Sequence, residues 1–531
     1  MATTTLPRGH IQRIAIIGAG PSGLAAAKSV PPPPGPRVRL PSKSTTTDTR
    51  PRYLLAERAF THIAIYEQRA VPGGVWAATP DLAGADYAVP QTAPAADAAA
   101  GDFQSPVYDA LETNIPTGLM GFAGAPWAAT TQLFPRHEAV REYLEGYAEE
   151  VRGLVSFGTQ VVDVRMRRGG GGADGVGEGE GESEGESEAK SEAKSEGESE
   201  NGPAIWDVTT RNLLTGTETT APFDAVLVAN GHYDRAYIPA IPGLAAFHAA
   251  HPRAISHSKA YRRPAPFAGL KVLVVGAGIS GSDIAAHLAP HARAPLLLSS
   301  RAAAPSSPDA PPPPATPGIT PVPEIASFDP RDRSVRFVDG SREADIDRVI
   351  FCTGYLFSYP FLRALSPPVV SDGARTQALW QHLFYHPAPT LAFLTLPSRV
   401  VPAAVAEAQS AVVARFLAGR LALPARAARE AWEVARVREV GAGRAFHVLG
   451  FPADSAYIAE LCGMADGADG VGGKRARAFG ARERWLRERM GEIVLAFRGL
   501  GEAERARVRG VEELGFVFPG DACGAAHEQR N

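Results

Sequence analysis

Two short glycine clusters carry the most legible chemistry in this sequence. The first is Gly18-Ala19-Gly20-Pro21-Ser22-Gly23, and the second, about 258 residues further on, is Gly276-Ala277-Gly278-Ile279-Ser280-Gly281. Both have the spacing Gly-x-Gly-x-x-Gly. At this spacing the first glycine permits a tight turn, the second lets backbone approach a pyrophosphate, and the third lets the following helix lie close on the preceding strand. The opening turn of that helix adds free N–H groups and the positive end of its dipole, which hold phosphate without a basic side chain. One such cluster is weak evidence, because glycine-rich turns of this form recur by chance. Two of them, each between a strand-like and a helix-like run, predict two dinucleotide sites.

The residue at the end of the next strand separates the two ligands, because a carboxylate accepts hydrogen bonds from a ribose diol but repels a 2′-phosphate. Glu67 closes the run Ile63-Ala64-Ile65-Tyr66. It stands 44 residues past Gly23, where ~20 is usual, and the excess falls in a Pro31–Pro36 block and a Ser/Thr-rich stretch to Asp48, read as a surface insertion. The second cluster has no acid at that place. Twenty residues past Gly281 it offers Arg301 beside Ser299 and Ser300, which favours NADPH over NADH. Either Glu67 or Arg301 could instead be an ordinary surface charge, so neither decides alone.

The elements that must hold these loops are readable from apolar patterning. Ile14–Ile17 predicts the strand before the first loop and Leu24–Ser29 a short Ala-rich helix after it. Val140, Tyr143, Leu144 and Tyr147 mark one helical face within 136–152, with strands expected near 154–157, 161–164, 204–210 and 224–229. Lys271–Val275 leads into the second loop, a helix should run through Leu288, and Pro295–Ser299 and Ile346–Cys352 read as further strands. After about Val401 the pattern is mostly helical. Residues 169–202 have almost no apolar content and predict a disordered acidic loop, and 305–323 a proline-rich insert.

Bulk composition limits the alternatives. At 531 residues the chain calls for two or more cores. Ten glutamates and Asp174 against Lys190 and Lys194 give 169–202 a net −9, so the remainder carries +6 within an overall −3. That excess suits anionic small ligands but is too weak and scattered for nucleic acid. No run approaches the roughly 20 apolar residues of a membrane span, and Met1–Arg13 lacks an apolar stretch of signal-peptide length, so a cytoplasmic location is the expectation. Three cysteines, Cys352, Cys462 and Cys523, with no close pair, argue against a disulfide framework, a zinc site or a dithiol redox centre. No metal-ligand or Ser-His-Asp set stands out, and His382 and His386 near Trp380 read as structural or substrate-lining. Any redox chemistry needs a borrowed cofactor.

Around the two loops the sequence resembles the flavin-containing monooxygenase family over most of the chain outside the inserts. The resemblance is carried, in the family's order, by Gly73-Gly74-Val75-Trp76, by Tyr108-Asp109-Ala110-Leu111-Glu112-Thr113-Asn114-Ile115-Pro116, by Phe134-Pro135-Arg136, by Ala229-Asn230-Gly231-His232-Tyr233 and by Cys352-Thr353-Gly354-Tyr355. The family's joining signature is only partly present. His257-Ser258-Lys259-Ala260-Tyr261 fits, but Phe247-His248-Ala249 replaces the upstream Phe-x-Gly at a wider separation.

The resemblance implies an α/β fold of two Rossmann-like dinucleotide-binding domains, with an NADPH domain inserted in a discontinuous FAD domain. The boundaries expected are 8–236 and 345–531 for FAD and the helical C-terminal region, and 237–344 for NADPH. It implies an FAD site drawn from Gly18, Gly20, Ser22, Gly23, Glu67, Gln68, Gly74, Val75, Trp76, Thr113, Asn114 and Val161. The implied NADPH site draws on Gly276, Gly278, Ser280, Gly281, Ser282, Asp283, Ser300 and Arg301. Asn114 is the implied catalytic residue, facing flavin and nicotinamide ribose. The implied reaction is NADPH-dependent transfer of one oxygen atom of dioxygen, through a flavin hydroperoxide, to a nucleophilic nitrogen or sulfur of a small molecule. Three alternatives remain at this point. They are a Baeyer–Villiger enzyme acting on a ketone, a flavin disulfide reductase, disfavoured by the dispersed cysteines, and a non-catalytic redox sensor binding NADPH or FAD. The substrate and the oligomeric state are not legible.

Overall fold

The computed structural model describes residues 3–27, 57, 59–79, 88–97, 103–168, 204–301, 317–468 and 476–520. The insertion at 31–48, the acidic segment 169–202 and residues 305–316 lie outside them. Two mainly parallel sheets organise the chain. The first has seven strands, in the spatial order Leu379–Trp380, Phe384–Tyr385, Leu391–Phe393, Ala225–Val228, Arg13–Ile17, His62–Tyr66 and Val155–Ser156. The second has five, all parallel, ordered Ile255–His257, Arg348–Phe351, Val272–Val275, Leu296–Ser299 and Ile319–Val322.

The reason these runs are strands is their burial on both faces. All four residues of Ala225–Val228 and of Val272–Val275 are buried. Each Val or Leu removed from water contributes about 1.5–3 kcal/mol, so a continuous apolar run is stable only between two covering layers. On the first sheet one cover is the helix Pro402–Leu417, nearly all of it buried. It packs on the helix Pro21–Ala27 that follows the first glycine loop, within one core that also takes in Val140, Leu144 and Tyr147 of the helix His137–Ala148. Helices dominate after Pro402, as the patterning predicts. Among the described residues no helix is long and apolar enough to cross a membrane.

Two expectations need correction. Residues 317–323 are not part of an irregular insert: Ile319–Val322 is the edge strand of the second sheet, paired with Leu296–Ser299. Proline at 321 is compatible with pairing because an edge strand leaves one row of backbone groups unpaired. The strand Arg348–Phe351 lies between Ile255–His257 and Val272–Val275, inside the second sheet, so a boundary at 344 cuts that sheet. Strand pairing supports placing the crossing at about Cys352 instead, a boundary offered here as a proposal. A short antiparallel pair, Arg235–Ala236 with Tyr355–Leu356, then joins the two units where the chain leaves and re-enters the first.

Candidate functional site

The two glycine loops have the same internal construction. Each follows an interior strand of its sheet, flanked on both sides by parallel neighbours. Gly18 N–H donates to Tyr66 O at 2.8 Å, and Gly276 N–H to Ser299 O at 2.8 Å. Both first glycines sit at φ 104°, and a methyl group on them would come within 2.6 Å of Ala229 O or 2.8 Å of Cys352 O. A methyl on the third glycines would collide with the loop itself, 2.0 Å from Gly18 O for Gly23 and 1.7 Å from Gly276 O for Gly281. The glycines are therefore required by backbone contact, independently of any ligand. The middle glycines differ. Nothing lies within 4 Å of a methyl built on Gly278, so the fold leaves that space open.

Their surroundings also differ. Around the first loop, Gly73 N–H donates to Ala19 O at 3.0 Å, and a methyl on Gly74 would stand 3.0 Å from Gly20 Cα. The turn Gly74–Trp76 thus roofs the loop, and Ala19 and Gly20 are buried beneath it. Residues 277–280 of the second loop are exposed, Ile279 to 63%. A ligand on the first loop would be enclosed, while one on the second faces solvent and can exchange.

Glu67, 4% exposed, is tied to the first loop. Its Oε2 accepts from Ala19 N–H at 2.8 Å and its Oε1 from Arg69 N–H at 2.9 Å. Burial pushes its carboxyl above the usual range, while these backbone N–H groups pull the other way. Two lone-pair sites remain for a diol. Gln68, Val75 and Trp76 are half-buried nearby in the chain, and Trp76 also packs on the main core. Val161 is buried in a three-stranded sheet of Thr159–Arg168, Ala204–Asn212 and Glu218–Phe223, two residues after Thr159, whose N–H meets Glu67 O at 2.9 Å. Ser22 Oγ donates to Thr395 Oγ1 at 2.8 Å, Thr395 N–H to Gln409 Oε1 at 2.7 Å, and Gln409 Nε2 to Tyr457 Oη at 2.8 Å. That relay was invisible in the sequence. Its one local sign, Thr395 in the left-handed region at φ 58°, is a conformation and not a residue type.

At the second loop, neither the first turn of the helix Ile279–Leu288 nor its N-cap carries an acid. Ser280 and Ser282 are exposed, Ser282 Oγ reaching Ala277 O at 3.3 Å. Ser299 Oγ is committed to Pro323 O at 2.7 Å, leaving half-buried Ser300 and exposed Arg301 at the strand end. Asp283 faces elsewhere. Its carboxylate accepts from the Tyr108 phenol and pairs with Arg498 Nη2 at 2.9 Å. This contact ties the second unit to the segment that carries Asn114, so we read Asp283 as a junction residue.

Asn114 is half-buried, and its amide makes no side-chain hydrogen bond to any described residue. Its position is fixed by neighbours: Thr113 N–H donates to Pro135 O at 2.9 Å, and Glu112 pairs with Arg505 at 3.1 Å. The other half of the junction is the segment after Ile255–His257. His257 is fully buried, with Nδ1 accepting from Lys259 N–H at 3.1 Å and Nε2 facing Gly354 O at 3.0 Å. Lys259 Nζ holds Asp234 at 2.6 Å. Burial lowers the His257 pKa to about 4, so it stays a neutral structural strut. His382 and His386 are likewise committed, to His447 Nδ1 at 3.0 Å and Glu433 Oε2 at 2.9 Å.

A cavity of about 740 Å³ lies away from both loops, on the three-stranded sheet. Its lining includes Asp163 and Arg165, paired at 2.6 Å, and Asp97 and Arg363, paired at 2.7 Å. Lined by paired charges and solvent-facing, with Val162 its one apolar side chain, it lacks the mainly apolar lining expected of a small-molecule site.

Comparison with known proteins agrees with this geometry. The model of the flavin-binding monooxygenase-like family matches residues 186–305 and 320–446. A flavin-containing monooxygenase, iboF, of Amanita muscaria is 27% identical over 546 residues, covering 88% of this chain and 90% of its own. The thiol-specific monooxygenase of Saccharomyces cerevisiae is 28% identical over 418 residues, covering 76% of each. Among solved structures, S-allyl-L-cysteine S-oxygenase from Allium sativum superposes with a TM-score of 0.66 at 24% identity, covering 97% of this chain and 98% of that one.

Proposed function

We propose that the chain is a flavin-containing monooxygenase, using FAD and NADPH, that oxygenates a soft nucleophilic sulfur or nitrogen of a small molecule. The observation that carries the reading is the pair of matched loops, one roofed and one open. A roofed loop suits a cofactor that stays in place, and an open one suits a reductant that must leave and be replaced at each turnover.

The residues present fit both groups. Gly18, Gly20, Ser22 and Gly23, with Glu67 at the ribose end, would hold FAD, and Gly74–Trp76 would cover it. Gly276, Gly278 and Gly281, with Ser300 and Arg301, would hold NADPH. The space left open at Gly278 is where a pyrophosphate needs close backbone. When bound, the flavin supplies hydride acceptance and oxygen activation, chemistry no side chain here can provide. The protein contributes position and dryness. Asn114, with an uncommitted amide, would hydrogen-bond nicotinamide and the reacting oxygen. The junction contacts of Tyr108, Asp283, Lys259 and His257 would hold the units in register, so that bulk water stays out. The name of the yeast relative supports sulfur as the acceptor.

The test is incubation of the purified yellow protein with NADPH, ¹⁸O₂ and a panel of thiols, thioethers, tertiary amines and ketones. One ¹⁸O atom in an S- or N-oxide is the expected product. Lactone or ester formation from ketones alone would overturn the choice of acceptor, and NADPH oxidation with no ¹⁸O in any product would overturn the monooxygenase reading. Asn114→Ala should raise hydrogen peroxide release per NADPH consumed, and unchanged coupling would remove Asn114 from its role.

A further inference from the structure

Arg444 reaches the second glycine loop from the C-terminal region. Its Nη1 donates to Thr353 O at 3.2 Å, and its guanidinium lies 4.0 Å from the centre of the Tyr237 ring. A methyl on Gly354 would stand 3.4 Å from that same nitrogen. Thr353 and Gly354 follow the strand Arg348–Phe351, on one side of the central strand Val272–Val275, and Arg301 follows Leu296–Ser299 on the other. Arg444 therefore reaches the carboxyl end of one strand that flanks the loop, and Arg301 follows the carboxyl end of the other. Burial disfavours the charged form of Arg444 and the Arg301 charge adds to that, while Tyr237 and Asp372 act the other way. Among the described residues neither makes an ion pair with a carboxylate.

Two neighbouring guanidiniums repel each other, and a dianion between them removes that repulsion. The pyrophosphate of a dinucleotide is already served by the loop backbone. The 2′-phosphate is the remaining dianion, and it suits forked donors on two sides because it presents three acceptor oxygens. Arg444 has spent one of its five N–H donors within the protein, and its plane is set by Tyr237. We propose that Arg444 is a second 2′-phosphate ligand, closing on NADPH from the side opposite Arg301. Preference for NADPH over NADH is then shared between the second unit and the C-terminal region. The inference rests on the NADPH role given above for the second loop.

Binding of NADP⁺, NAD⁺, 2′,5′-ADP and 5′-ADP to the FAD-loaded full-length protein tests it by titration calorimetry. Arg444→Ala is expected to weaken NADP⁺ and 2′,5′-ADP about tenfold or more, while NAD⁺ and 5′-ADP change less than twofold. Arg444→Lys, which keeps the charge and loses the fork, should fall between and serves if the alanine variant does not fold. Equal weakening of all four ligands, or none, in a folded variant overturns the assignment and leaves the function standing. A parent protein that holds FAD and does not bind NADP⁺ overturns both.

Discussion

The phenol of Tyr108 donates its hydrogen to the carboxylate of Asp283, joining the loop that carries Asn114 to the helix that opens the second glycine loop. Arg498 completes the contact at 2.9 Å, so residues distant in sequence meet on one carboxylate. Burial and the Asp283 charge push the Tyr108 hydroxyl far above its ordinary pKa, so it remains a donor at any working pH. This bond is one of the contacts, with those of Lys259 and His257, that span the junction between the two units.

Tyr108→Phe is expected to cost about 1.5–3 kcal/mol of stability, the range for a lost hydrogen bond to a charged group. Asp283 keeps Arg498, so the fold should survive. The informative readout is coupling: more hydrogen peroxide per NADPH at unchanged flavin content. A fall in melting temperature with coupling intact would confine Tyr108 to a structural role.

Gly278→Ala and Gly281→Ala should part company. At 278 the backbone has φ −74° and a methyl meets nothing, so the variant should fold with unchanged melting temperature yet bind NADP⁺ at least tenfold more weakly. At 281 the methyl would lie 1.7 Å from a carbonyl oxygen, so the second unit itself should be disrupted. Thermal melts alongside NADP⁺ titration check both, and normal binding by Gly278→Ala would remove the pyrophosphate from that position.

Breaking the relay behind Ser22 should loosen the first site without touching any atom of the loop. Gln409→Leu removes the acceptor for Thr395 N–H, leaving that donor and the Tyr457 hydroxyl short of a partner. The expected result is loss of yellow colour on prolonged dialysis, at a rate several-fold above the parent. Retention of flavin equal to the parent would show that the relay does not bear on the site.

Acid should destabilise the protein through its buried neutral histidines. Burial lowers His257 to about 4 and His382 to about 3, against about 6.5 in the unfolded chain. Between those values the unfolded state binds more protons, so stability falls as pH drops from about 6.5 toward 4. Each histidine contributes at most about 1.4 kcal/mol per pH unit in that window. Denaturant midpoints measured from pH 4 to 7 should show a shallower slope in His257→Gln than in the parent, and equal slopes would refute the contribution of His257.

The strands that carry the loops were legible because burial on both faces leaves a continuous apolar run, as at Val272–Val275, and because glycine is the residue a first-position φ of 104° requires. The role of Ile319–Val322 was hidden because Pro321 within it and Pro323 just after it look like loop chemistry, and only pairing at an edge makes Pro321 acceptable. Asp283 sits one residue past Ser282, in a stretch whose spacing suggests ligand contact. Its real partners, Tyr108 and Arg498, lie 175 and 215 residues away, where no local pattern can point to them. Arg444 was missed for the same reason: its relation to Thr353 exists only after the chain has folded.

The roof over the first loop has a consequence for how the protein is made. With Ala19 and Gly20 closed beneath Gly74–Trp76, entry of FAD requires that turn to move aside, a step easier while the chain is still assembling. The yield of properly assembled enzyme would then follow the riboflavin supply of the producing cell, and vitamin-starved cultures would accumulate chains that later addition of the nucleotide restores only slowly.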